Sequence, residues 1–310
     1  MEVKIKISPL FADKKIKELL EYYKVGKVKI KDLSFHLNNE EVNLNSTLNL
    51  NDTLIISYHD EIDFLPFDKP LKVLYEDKNL LIVDKPKGLL VHPDDKSKNG
   101  TLCNIVSHYY HKTNQNISVR YLHRIDVDTT GIVMFAKDIL TASYLNAMIA
   151  SHDVAREYLC IASGKFIEDS GIYNDPIAED RHIANKKRVS KTGKEAITTY
   201  AIKERLNKNL NLVLVKLKTG RTHQIRLHFS YHGHPLVGDN LYNGNTNLLD
   251  RQALHSYHVN FIHPITNKRI DVTSKLPYDM EKIYQKYRKK ENWFLVSILF
   301  IFGFIKPLII

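Results

Sequence analysis

The sequence predicts an α+β protein: a large mixed, mainly antiparallel sheet with flanking helices, preceded by a smaller α+β unit. Three observations predict this. Many short runs alternate apolar and polar residues between turn residues, few stretches carry helical spacing, and an acidic segment with two prolines, DEIDFLPFDKP, separates a short beginning from a long remainder. At 310 residues, with 43% hydrophobic and 26% charged residues, the chain can bury a full core. Those figures exclude a collagen, a coiled coil, a disordered tail protein and a polytopic membrane protein.

Residues 1–60 read as the small unit. An extended start (VKIKI) precedes a helix in KKIKELLEYY, where Ile16, Leu19, Leu20 and Tyr23 recur at helical spacing. Strands are expected in VKIKDL, VNLNSTLNL and DTLIISY, and residues 61–70 read as a linker. The large domain spans 71–290. It opens with two strands around an Asp77-Lys78-Asn79 turn, then a Pro86/Gly88 turn and a third short strand in LLVHP. A helix is expected at about 101–111, a buried strand in GIVMFAKD, an amphipathic helix in LTASYLNAMIASHDV and a strand in REYLCIASG. Two long strands follow in EAITTYAIKERL and LNLVLVKLKTG, then a helix in THQIRLHFSYHG ended by Gly233. The tail, 291–310, contains thirteen uncharged residues (293–305) behind the basic run KIYQKYRKK. That is short for a spanning helix, so a packed or interfacial helix is expected, with weak membrane association through 293–310 as the alternative.

The net charge of +10 is unevenly placed. Residues 1–60 cancel to zero, whereas 181–230 carry 13 Lys+Arg against only Glu195 and Glu204. A basic surplus on strands and loops points to a polyanion, nucleic acid before anionic membrane. Cys103 and Cys160 are the only cysteines, too few for a disulfide framework or a four-cysteine zinc site. The N-terminus lacks the pattern of a secretory signal, so a cytoplasmic protein is expected.

Two clusters could carry chemistry. In YLHRIDVDTTGIVMFAKD (121–138), polar residues including His123, Arg124, Asp126 and Asp128 lead into an apolar strand. Asp128, Thr129 and Thr130 read as turn formers bonding their own backbone, while Asp126 is a candidate reactive carboxylate at a cleft rim. In KTGRTHQIRLHFSYHGHPLVGD (218–239), Arg221, His223, Gln224 and Arg226 supply donors that could hold phosphates or pair with a carboxylate from elsewhere. His228 and His232 share a helix face, but no acidic residue accompanies them at helical spacing and Gly233 breaks the element before His234, so no metal site is expected. Tyr158, in a strand, reads by itself as a core or sheet-face aromatic. Neither a phosphate loop nor a Gly-x-Gly-x-x-Gly dinucleotide motif occurs.

Taken together, the clusters resemble the RluA/RluD-type pseudouridine synthases. HRIDVDTTG is similar to the family's HRLDxxTSG, LLIVDKPKGLLVHP to its NKPxGxxVHP block, REYLCIASG to its K-x-Y-x-A-x-x-G strand and GKEAITTY to its G-K-x-A-x-T-x-Y strand. GRTHQIRLHFSYHGHPLVGDNLYNG resembles the closing motif almost throughout, so five ordered blocks cover about 70–245. Arg156, Ile125 and Thr130 depart mildly from the usual Lys, Leu and Ser. The resemblance implies isomerisation of uridine to pseudouridine in ribosomal or transfer RNA, by a monomer with no cofactor or metal; a non-catalytic RNA-binding or ribosome-assembly factor keeping the fold is the alternative. It implies Asp126 as nucleophile, at the uracil ring or at the anomeric carbon, with Arg221 as its charge partner. It further implies Tyr158 stacked on the target base, Ile225 as apolar lid and Arg124 filling the space of a flipped base. His123, Thr222, His223, Gln224 and Arg226 complete the substrate-binding set, and Arg181, Lys186, Lys187, Arg188, Lys191 and Lys194 are expected on the RNA backbone, in a loop over 181–194. The N-terminal unit weakly resembles a small RNA-binding domain, with Asn51-Asp52 in place of Gly-Asp.

Overall fold

The computed structural model describes residues 1–59, 64–94 and 99–289, and in it two large sheets divide the chain. The apolar tail and the first part of the expected linker lie outside the described residues. The small sheet joins β1 (Glu2–Lys6), β2 (Leu33–Leu37), β3 (Glu40–Val42) and β4 (Thr53–Tyr58), all antiparallel, in the order β1-β4-β2-β3. Against it α1 (Ile16–Tyr22) buries Ile16, Leu19 and Leu20 over Val3, Ile5, Phe35, Leu54 and Ile56.

Two expected strands in this unit are something else. VKIKDL begins with a short helix, α2 (Lys27–Ile30), because its alternation faces no partner: Val28 is 80% exposed. VNLNSTLNL contributes only Val42 to a strand. The carbonyls of Leu44 and Ser46 instead accept the N–H groups of Lys17 and Ile16, satisfying donors that the start of α1 leaves free.

The large sheet is mixed and mainly antiparallel. Its first strands are β5 (Val73–Glu76), β6 (Leu80–Lys85), β7 (Arg120–Tyr121) and β8 (Thr130–Ala136). Helix α3 (Leu102–Lys112) lies within this set, and α4 (Ile139–Ala150) follows it. β8 is buried along its whole length because both faces are covered. Ile132, Met134 and Ala136 meet Ala142 and Leu145 of α4, while Val133 and Phe135 meet Leu102, Ile105, Val106 and Tyr110 of α3. LLVHP is not a third strand: the carbonyls of Leu90 and Val91 accept from Leu102 and Cys103 at the start of α3. Residues 64–70 lie along the same helix, with the carbonyls of Phe64 and Leu65 accepting from Ser107 and Asn104.

The second set comprises β9 (Ala155–Ser163), β10 (Ser170–Tyr173), β11 (Ile177–Glu179), β12 (Lys187–Val189), β13 (Thr198–Arg205) and β14 (Leu210–Leu217), followed by α5 (Gln224–Tyr231). β15 (Leu254–Ile262), β16 (Arg269–Thr273) and α6 (Tyr278–Tyr287) close the described chain. The strand order is β10-β13-β14-β9-β15-β8-β6-β5, with β16 on β15 and β7 on β8. β15 runs antiparallel to β9 and parallel to β8. Part of the expected 181–194 loop is thus a separate hairpin, β11 with β12, in register Ile177 to Val189. The two units share a core. Tyr22 stacks on Tyr144 of α4 at 5.6 Å, Ile139 and Leu140 join the small unit's cluster, and the Tyr23 hydroxyl donates to the Pro264 carbonyl.

Candidate active site

The loop before β8 is fixed by its backbone. The Thr129 N–H donates to the Asp126 carbonyl at 3.0 Å, closing a tight turn at the mouth of a cavity of about 820 Å³. From below, Lys85, with no exposed surface, donates to the carbonyls of Val127, Leu89 and Pro86 at 2.7, 2.8 and 3.0 Å. Burial pushes its pKa down to about 7 against the pull of Asp128 and Asp126. The three carbonyls match the three N–H bonds of the charged form. From the side, Arg251 grips both carboxylate oxygens of Asp279 at 2.7 and 2.8 Å and donates to the Asp128 carbonyl at 3.0 Å.

The side chains expected to form the turn do otherwise. Thr129 Oγ1 accepts from Gln252, Thr130 Oγ1 bonds His255 Nδ1 at 2.8 Å, and the Asp128 carboxylate accepts no hydrogen bond among the described residues. Gly131, at φ +106°, is required because a Cβ there would lie 2.2 Å from the Ser256 carbonyl oxygen of β15.

Asp126 is partnered by Arg226, not by Arg221. Arg226 NH1 donates to Asp126 Oδ2 at 3.1 Å, while Nε and NH2 make a fork on Asp239 at 2.7 and 2.8 Å. Burial opposes the charge on Arg226, but the bonds and charges of Asp239 and Asp126 outweigh it and raise its pKa above the ordinary value. Arg221 precedes α5 in an exposed turn, and its Nε donates to the Glu195 carbonyl at 2.9 Å. That places it on the cavity wall without a carboxylate partner among the described residues. Arg226, one turn into the helix, faces Asp126 and so acts as its charge partner rather than as a free substrate ligand.

The other expected residues divide. Tyr158 and Ile225 are buried and line the cavity opposite the Asp126 loop. Burial raises the Tyr158 pKa, against the influence of Arg156 and a hydrogen bond with Ser256. Arg124 is exposed at the rim, and its NH1 donates to His92 Nε2 at 2.7 Å, while the His92 ring stacks on Tyr121. Thr222 is exposed on the wall. His223 sits in the left-handed region at φ 57°, with Nδ1 3.1 Å from the Tyr242 hydroxyl and Nε2 3.9 Å from Asp126 Oδ2. Burial lowers its pKa, so it is neutral at pH 7.

Two of the set are structural. Gln224 accepts from Thr219 Oγ1 and the Arg221 N–H and donates to the Ile197 carbonyl and Thr198 Oγ1, which leaves its amide no free donor for a substrate. His123 Nε2 accepts the Met134 N–H at 3.3 Å, and burial pushes its pKa down to about 3, so it is a neutral support of the loop. His228 bonds Thr198 and the Asp175 carbonyl, and His232 bonds the Asp175 carboxylate. The basic hairpin lies beside the cleft. Arg181, Lys191 and Lys194 are exposed and Lys186 and Arg188 half-buried, while Lys187 pairs with Glu179. Lys85, Asp239 and Arg251 are absent from the sequence-derived set. A lysine ending the apolar run LLIVDK, and a carboxylate in the GD after an arginine-bearing helix, were the available signals.

Comparison with known proteins identifies the family. The family model described as RNA pseudouridylate synthase matches residues 79–231. The uncharacterized RNA pseudouridine synthase YhcT of Bacillus subtilis is 36% identical over 271 residues, covering 85% of this chain and 90% of its own. The ribosomal large subunit pseudouridine synthase D of Escherichia coli is 32% identical over 297 residues, covering 90% and 87%. The structure of human RNA Pseudouridylate Synthase Domain Containing 1 shares the fold with a TM-score of 0.58 at 21% identity, covering 74% of this chain and 94% of that one.

Proposed function

Because this chain belongs to the RNA pseudouridine synthase family of the RluA/RluD type, enzymes that isomerise uridine in RNA, we propose that Asp126 is its nucleophile and that its substrate is a flipped uridine of ribosomal or transfer RNA. The observation that carries this reading is the chain Asp126–Arg226–Asp239 on the wall of the cavity. Asp239, with its side chain fully buried, orients the guanidinium, and the guanidinium favours the ionised form of Asp126 in a partly dry site.

The reaction rearranges one nucleoside. The bond between N1 and the anomeric carbon breaks, the base turns, and C5 bonds the anomeric carbon; C5 loses a proton and N1 gains one. No atoms or electrons enter or leave, so the chemistry needs a nucleophile, a pocket that lets the base rotate and a path for one proton. Asp126 supplies the first, by attack on the uracil ring or on the anomeric carbon. Tyr158 and Ile225 supply the second, an aromatic face and an aliphatic lid. The Tyr158 hydroxyl, kept protonated by burial, assists the third by exchanging protons rather than as a standing phenolate.

A base inside structured RNA must first leave its stack, at about a few kcal/mol. Arg124, at the rim with a planar guanidinium already held against His92, is placed to fill the gap. The cations of the 181–194 hairpin then hold phosphates. Asp126→Asn should abolish tritium release from RNA labelled at C5 of uridine while leaving RNA binding intact. Should wild-type protein release no tritium from any cellular RNA, the non-catalytic RNA-binding reading replaces this one.

A further inference from the structure

A second cavity, of about 470 Å³, lies behind the first and shares a wall with it. Arg226 lines both. The second is lined by Asp128, two residues from Asp126 on the same turn, and by Lys186 of the basic hairpin. Asn240 and Asn243, both exposed, line its wall, and Ile183, 47% exposed, offers an apolar surface.

The polar groups here divide into spent and unspent. Arg226 and Arg251 are saturated by Asp239 and Asp279. Asp250 pairs with Lys87 at the surface. By contrast the Asp128 carboxylate and the side-chain amides of Asn240 and Asn243 make no hydrogen bond among the described residues, and the Lys186 ammonium, 5.7 Å over the Tyr242 ring, has no carboxylate partner among them. A half-buried carboxylate is an acceptor only, and it is left facing a cavity large enough for a nucleotide. An acceptor, two amides, an apolar patch and one cation form the chemistry that reads a base edge and holds its phosphate.

We infer that this second cavity binds a nucleotide flanking the target uridine in the same RNA strand, with Asp128 accepting from an exocyclic amine of its base and Lys186 on its phosphate. The inference rests on the pseudouridine synthase reading above. It makes the turn that carries the nucleophile a specificity element as well, because Asp126 and Asp128 face neighbouring cavities across Val127. A base bearing an amine satisfies Asp128, whereas a carbonyl oxygen in that place would leave the carboxylate facing another acceptor.

The test uses full-length enzyme and a hairpin taken from a cellular RNA that it modifies, varied at each of about three positions on either side of the target. At one position an amine-bearing base should be preferred over uracil by roughly tenfold in kcat/KM. Asp128→Asn should bring that ratio to about one, since an amide both donates and accepts. Lys186→Ala should raise KM for every hairpin alike and reduce the slope of log affinity against log salt by about one. A wild-type ratio near one at every position, or an Asp128→Asn enzyme that keeps the wild-type ratio, overturns the inference while isomerisation itself stands. A wild-type protein that isomerises nothing overturns both. The ratio between bases is unaffected by any general loss of rate in the variant.

Discussion

The Asp126 turn and the β11–β12 hairpin are both polar, and each lends a residue to the second cavity, Asp128 and Lys186, yet their side chains are held differently. Around Asp126, Lys85, His123, Arg251 and Gln252 each fix the segment through a bond to its backbone, a side chain or the adjoining strand, and all four are buried. The hairpin is anchored at its base, where Ile177 bridges Lys194 and packs with Leu227 and Tyr242 and the Lys187 N–H donates to the Tyr242 hydroxyl, but its outer cations Arg181 and Lys191 stand exposed with no ion pair among the described residues. A reacting carboxylate misplaced by about 1 Å loses on the order of a hundredfold in rate, whereas a cation on a long side chain finds a phosphate from many positions. Rigidity is concentrated where geometry limits the outcome.

The sharpest way to break this contrast is Arg226→Met. Removing the guanidinium leaves Asp126 and the buried Asp239 without their shared cation, and kcat should fall by roughly 10³-fold. If kcat survives, the carboxylate does not depend on Arg226. Next, Lys85→Met removes three hydrogen bonds beneath the turn without touching the cavity; kcat should fall about a hundredfold while RNA affinity is retained. An unchanged kcat would mean that Arg251 and His123 suffice to hold the turn.

On the hairpin side, alanine at Arg181, Lys191 and Lys194 together should lower the salt slope of RNA binding by about 2–3 and leave the unfolding midpoint unmoved. A loss of stability instead would make the hairpin part of the rigid scaffold. The smallest effect concerns pH. Burial holds His255 at a pKa of about 4, so between pH 6.5 and 4 the unfolded chain binds a proton that the folded one does not. The His255 contribution to stability therefore falls as pH drops through that window and is constant above it. His255→Gln should remove up to about 1.4 kcal/mol per pH unit of that slope, read by urea unfolding at pH 7 and pH 5. Identical slopes would acquit the histidine.

Much of this is legible in the chain. GIVMFAKD reads as a buried strand, and β8 is buried along its whole length; Gly233 ends its helix where expected. Two of the three false strands, within 42–50 and at 89–93, fail for one shared reason. Both are extended and apolar, but their carbonyls meet helix starts rather than neighbouring strands, a choice made by contacts with α1 and α3 that alternation cannot encode. In the site, the motif carries two arginines; the resemblance implies Arg221 as the partner of Asp126, and Arg226 makes the bond. Spacing alone does not say that Arg221 lies in an exposed turn or that Asp239 returns to grip Arg226. Gln224 misleads for a similar reason, since its partners come from other segments.

The position of β15 sets an order of assembly. Strands β5–β8 carry Asp126, strands β9–β14 and the helix after them carry Tyr158 and Arg226, and β15 is the strand that joins the two groups. Its consecutive residues serve different neighbours, His255 bonding Thr130 on one side and Ser256 standing in register with Tyr158 of β9 on the other. On the ribosome, both halves of the site emerge before residue 254 and have no strand between them to hold them together. The nucleophile and its arginine are brought face to face only as β15 is made, so a nascent chain cut short before that strand has all the catalytic residues and no active site.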